Sequence, residues 1–154
     1  MRKKVGVTLV IATIFVVSAC GILTRDLGEG VKTLHEDEWG SVEIDLVRTT
    51  AVQVELTLSS GPAIDVYMLS EVDMNRWRTL VSKNQLSLTE GWKFYKHLSF
   101  EGLSVSYTSE WVKVDKGKYF LLFDNTDFGA TMPPMNMHDD VAVVEYTVRT
   151  RPTT

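Results

Sequence analysis

From Val42 onward the chain alternates apolar and polar positions with a period of two. Val42, Ile44 and Leu46 are separated by Glu43 and Asp45, and Val52, Val54, Leu56 and Leu58 by Gln53, Glu55 and Thr57. That alternation is the signature of strands with one face buried and one in water. Ser59-Ser60-Gly61-Pro62 interrupts the second run, and Ile64, Val66 and Met68 open a third strand. Ser70 then offers a hydroxyl to orphan backbone N–H groups, Glu71 and Asp73 place negative charge at the positive end of a helix dipole, and Met74, Trp77 and Val81 share a face. A single short helix over 71–81 is expected. Further strands are expected at Leu86 to Leu88, Phe94 to Phe100, Leu103 to Val114, Tyr119 to Asp124 and Ala142 to Arg149. Tyr119-Phe120-Leu121-Leu122-Phe123 is apolar on both alternations, as a central strand covered on two faces must be. Seven or eight short strands divided by turn residues predict an all-β, mainly antiparallel sandwich with one short helix.

The beginning of the chain follows a different pattern. Arg2, Lys3 and Lys4 precede an uncharged apolar stretch from Val5 to Val17, which ends at Val17-Ser18-Ala19-Cys20. A basic start and an apolar core shorter than the roughly 20 residues needed to span a bilayer describe a secretory signal. Val17-Ser18-Ala19-Cys20 resembles the lipobox of bacterial and archaeal lipoproteins, whose cysteine is lipid-modified and becomes the new N-terminus. The resemblance implies a signal peptide over 1–19 and lipidation of Cys20; an ordinary secretory signal or an uncleaved helix is the alternative. Cys20 is the chain's one cysteine, so lipidation also accounts for an extracytoplasmic protein without an internal disulfide. The expected location is the extracytoplasmic face of a cell membrane or envelope, with inner and outer membranes both open.

The expected organisation is a signal peptide at 1–19, a lipidated N-terminus and tether at 20–38, a sandwich domain at 39–150 and a tail at 151–154. Cleavage before Cys20 would remove three of the 16 basic residues and none of the 20 acidic ones, moving the net charge from −4 to −7 over the 135 residues left. That balance disfavours nucleic acid as a partner, and it also disfavours adhesion to anionic lipid headgroups through a basic patch, leaving membrane attachment to the lipid on Cys20.

Asp65-Val66-Tyr67-Met68-Leu69, then Lys116-Gly117-Lys118-Tyr119-Phe120-Leu121-Leu122-Phe123-Asp124-Asn125-Thr126, then Val143-Val144-Glu145-Tyr146-Thr147-Val148 occur in that order. Together they resemble the jelly-roll-like sandwiches of Golgi-dynamics (GOLD) domains and of bacterial pre-peptidase C-terminal domains. The resemblance runs from about Trp39 to Arg149 and implies a jelly-roll-like β-sandwich that makes protein or cargo contacts without catalysis. Neither the peptidase nor the C-terminal transmembrane helix that usually accompanies those families follows from this sequence.

Candidate chemistry is sparse. The sequence contains no G-x-S-x-G elbow, Walker loop, dinucleotide fingerprint, H-E-x-x-H or paired C-x-x-C. His35, His97 and His138 are scattered, and a hydrolase of envelope polymers would need His97 to meet a serine and an aspartate. The acidic run His35-Glu36-Asp37-Glu38 reads as a solvated loop before it reads as a metal cluster. The long segment Asp124 to Asp140 carries two ligand sets. Asp124, Asn125, Asp127, Asn136, Asp139 and Asp140 supply hard oxygens suited to Ca2+, and Met132, Met135, Met137 and His138 supply soft donors suited to Cu(I). Against these stands a metal-free loop, in which Asp and Asn shape turns and Met fills gaps. Trp92, Phe94, Tyr95 and Trp111 are candidates for a carbohydrate or peptide platform, with core packing the competing use. The function expected is a non-catalytic binding module for a protein or polysaccharide, with a metal-binding lipoprotein as the alternative.

Overall fold

A computed structural model describes residues 24–83, 95–134 and 139–153. The first 23 residues, with the signal segment and Cys20, lie outside it. So do Leu86 to Leu88, Trp92, Phe94, Met135, Asn136, Met137 and His138.

Two antiparallel sheets face each other. The strands are β1 (Arg25–Leu34), β2 (Glu38–Leu46), β3 (Thr50–Ser60), β4 (Ile64–Ser70), β5 (Phe100–Leu103), β6 (Ser106–Thr108), β7 (Val112–Val114), β8 (Gly117–Asn125) and β9 (Ala142–Arg151). One sheet runs β1-β9-β3-β6, with β7 also paired to β3, and the other runs β2-β8-β4-β5. The pairing is nested: first strand with last, second with next to last, third with the β6 and β7 pieces, fourth with fifth. Such a ribbon of antiparallel pairs rolled into two sheets is a jelly roll.

The alternation read from the sequence sorts side chains as expected. Ile44, Leu46, Val52, Val54, Leu56, Val66, Met68, Leu121 and Phe123 fill the space between the sheets. β8, flanked by β2 and β4, also buries its other face: Phe120 and Leu122 join Tyr67 and Leu69 of β4 in a second core. Helix α1 (Glu71–Ser82) closes that core with Met74 and Trp77, both fully buried. Ser70 caps the helix, its Oγ accepting from the Asp73 N–H at 3.2 Å.

Three boundaries differ from expectation. The segment expected to be a tether from 20 to 38 contains β1, so the sandwich starts at Arg25 rather than at Trp39. β1 is an edge strand that buries only Leu34; pairing with β9 along nine register positions makes it a strand, and its residues carry no hydrophobic alternation to reveal it. Within the strand expected over Phe94 to Phe100, Lys96–Leu98 form a 3-10 turn that buries Leu98, and β5 begins only at Phe100. The strand expected from Leu103 to Val114 is broken into β6 and β7 by Ser109, whose Oγ takes the Val54 N–H at 2.9 Å in place of a backbone carbonyl.

Among the described residues every strand partner and every residue of both cores lies between Arg25 and Arg151.

Candidate functional site

The two ends of the sandwich are chemically unlike. β1 runs from an end holding Arg25, the β2–β3 turn at 47–49, the β7–β8 turn at 115–116 and the close of β9 to an opposite end. That far end holds the 35–37, 61–63 and 104–105 connections and the described residues that follow β8 and precede β9. The far end is where the sequence places most of its candidate ligands.

Asp65 and Asp124 are direct register partners on β4 and β8. Both are buried, and both point to the outer face, since they alternate with inward-facing Val66 and Phe123. Like charges directly opposite each other on a sheet repel. Asp65 offsets this with four donors: the Gly102 N–H at 2.8 Å and the Thr131 hydroxyl at 2.5 Å on Oδ1, the Thr131 N–H at 2.8 Å and the Tyr67 hydroxyl at 3.1 Å on Oδ2. Asp124 Oδ1 accepts from the Thr126 N–H and hydroxyl at 3.1 and 2.6 Å. Asp124 Oδ2 is buried without a hydrogen-bond partner. A Cβ built on Gly129 would overlap Asp65 Oδ2 and Asp124 Oδ2 at once, so the two oxygens converge beneath the same glycine.

Burial, reinforced by the negative charges of Asp65 and Asp127, pushes the Asp124 carboxyl up from 3.8 to about 7, against the downward pull of the Thr126 hydrogen bonds. Protonation gives the orphaned Oδ2 a hydrogen to donate toward Asp65, the usual resolution for two acids sharing one site. Burial first, and the neighbouring Asp65 charge second, also push the Tyr67 hydroxyl well up. With Phe128 packed into the second core above it, the acid pair is sealed from solvent. It fastens segment 126–131 down onto the sheet.

The neighbouring loops are fastened in the same way. Asn125 points the opposite way from Asp124, and its Nδ2 donates to the carbonyls of His35 at 2.9 Å, Asp140 at 3.0 Å and Leu34 at 3.3 Å. Asp139 Oδ2 lies 2.6 Å from His35 Nδ1, and its Oδ1 accepts the Glu36 N–H at 3.2 Å. The Asp139 hydrogen bond and charge raise the His35 pKa above 6.5, and the same bond lowers that of Asp139.

The expected calcium set is therefore divided: Asp124 under Gly129, Asn125 and Asp140 at the β1–β2 junction, Asp139 on His35, and Asp127 exposed. Among the described residues no three His, Cys, Asp or Glu side chains gather as metal ligands do. Of the soft set, Met132 is exposed and its companions lie outside the described residues. His97 sits exposed in the 3-10 turn rather than in a strand. Tyr95 packs edge-on to Tyr119 with centroids 5.7 Å apart, and Trp111 lies under the Arg151 guanidinium at 4.4 Å. Asp65 went unremarked as a functional residue in the sequence, yet an acid inside a strand apolar on both alternations was a usable signal.

No protein-family model matches the chain, and no curated protein matches it. No helix among the described residues is long and apolar enough to cross a membrane.

Proposed function

We propose that the chain is a lipid-anchored extracytoplasmic lipoprotein whose GOLD-like sandwich binds a partner and carries out no chemistry. The observation that carries this reading is the stitched far end. Asp65, Asn125 and Asp139 tie the 35–37 turn, the 126–131 segment, residues 139–140 and β5 into one preorganised platform. Ordering those loops in advance lowers the entropic cost of binding. Met132 and Val105 are exposed there, among Glu36, Asp37, Asp127 and Asp139, which suits a partner bearing cationic groups around an apolar contact. The acid pair is enclosed rather than presented, which fits a structural use. Cys20 precedes Arg25 by five positions in sequence, so a lipid on Cys20 would tether the domain by the end opposite the platform.

Mass spectrometry of the N-terminal peptide tests the anchor: a peptide beginning at acylated Cys20 is expected, and Cys20→Ala should release the protein from membranes. An unmodified Cys20, or a chain still beginning at Met1, overturns it. A photo-crosslinking residue at Met132 should yield a discrete adduct in intact cells that one at exposed Val31 does not; equal yields at both positions would count against the platform.

A further inference from the structure

The net charge of the chain conceals a segregation. At the end of the sandwich nearest Cys20, an open cleft of about 220 Å3 is lined by Arg25, Arg48 and Arg151, with Leu27 and Val47 beside them and Asp45 as its one acid. Arg25 comes from the start of β1, Arg48 from the β2–β3 turn and Arg151 from the last position of β9. The nested topology thus gathers three arginines that are far apart in sequence. Arg25 and Arg48 are exposed, and among the described residues no ion pair engages any of the three, whereas Arg149 on the sheet face is held by Asp26 and Glu55. Lys116 is exposed in the adjoining turn, where Asp115 accepts from the Thr49 hydroxyl at 3.2 Å. Arg25, Arg48, Arg151 and Lys116 occupy this end with Asp45 and Asp115, and Glu71 lies beside the Glu43-paired Lys118 next to them, while Glu36, Asp37, Asp127, Asp139 and Asp140 occupy the other.

Three further features share the basic end. Val47 is 86% exposed and Leu27 36%, apolar tips beside cationic groups. Trp111, under Arg151, adds an indole of the kind that favours membrane–water boundaries. Five peptide units hold Arg25 within about 17 Å of Cys20 however the domain tilts, whereas the ten residues of β1 carry the far end roughly 33 Å away.

We propose that this arginine-lined cleft docks on the phosphate groups of an anionic lipid leaflet, seating the sandwich upright on the membrane to which Cys20 ties it. The guanidinium fork matches phosphate oxygens in pairs, and Val47 and Leu27 reach toward the acyl boundary. The proposal rests on the lipoprotein reading for its biological setting, but its test does not, because a fragment starting at Thr24 lacks Cys20 and retains every strand of the described residues.

The fragment is sedimented with vesicles of phosphatidylcholine alone and of phosphatidylcholine doped with phosphatidylglycerol. Binding to the doped vesicles at low salt, little to the neutral ones, and loss on raising the salt are expected. Replacing Arg25→Gln and Arg48→Gln together, with a melt to verify folding, should weaken binding about 25-fold, at about five-fold per cation near an anionic surface. Equal binding to both vesicles, no binding to doped vesicles at low salt, or an unchanged affinity in the double variant overturns the proposal. Inorganic phosphate alone raising the melting midpoint of the fragment overturns it in favour of a soluble phosphate ligand. The mass of the N-terminal peptide of the full chain decides lipidation separately, so the two readings fail independently.

Discussion

Asp124 Oδ2 couples the stability of this protein to pH. Its carboxyl is raised from 3.8 to about 7, chiefly by burial and then by the Asp65 charge, so between those values the folded state holds a proton that the unfolded chain releases. The stabilisation that comes with this proton is complete below the unfolded value and is lost as pH climbs through about 7. Unfolding in urea should therefore show stability falling by on the order of 3 kcal/mol from pH 4 to pH 8 through this group. Asp124→Asn mimics the protonated acid: its Oδ1 keeps the Thr126 bonds and its Nδ2 faces Asp65. The variant should be more stable than the parent at pH 8, with a flatter profile; lower stability at pH 8 would refute the shared proton. Only half of this pair was legible in the sequence. Asp124 stood out as an oxygen donor, but its partner is set by the β4–β8 register, and no local pattern reports which residues a register will oppose.

At the level of elements, legibility followed burial. β2, β3, β4, β8, β9 and α1 fill a core, so their apolar residues must recur at the period of the backbone, and each lies where that period puts it. β1 buries one residue and is held by main-chain pairing, which leaves no mark on side-chain order. The break between β6 and β7 rests on one serine hydroxyl, invisible until its acceptor site faces Val54. The same logic ranks the supports of α1. Trp77 is wholly enclosed between the helix and β4 and β8, and Trp77→Ala should cost about 4 kcal/mol in urea unfolding. Ser70→Ala removes one cap bond and should cost about 1 kcal/mol. A Trp77 variant losing no more than the cap variant would mean that α1 contributes little to the second core.

At the scale of the whole molecule, composition reported the sum of the charges and missed their arrangement. Termini and turns distant in sequence meet at one end because the ribbon is nested, and that nesting makes the fold depend on its last strand. β9 lies between β1 and β3, contributes Ala142, Val144 and Val148 to the core, and pairs with both neighbours over nearly its full length. A chain ending at Val141 would leave β1 without a partner and open the core along one whole sheet. It should show no cooperative melting transition and should be rapidly proteolysed, because non-local pairing of this kind gains nothing until the late strand arrives. A chain beginning at Thr24 should melt cooperatively, since it keeps all nine strands described from Arg25 to Arg151. Cooperative melting of the C-terminal truncation would mean that β3 and the second sheet suffice, and that β9 is an addition to a smaller fold rather than the strand that closes it.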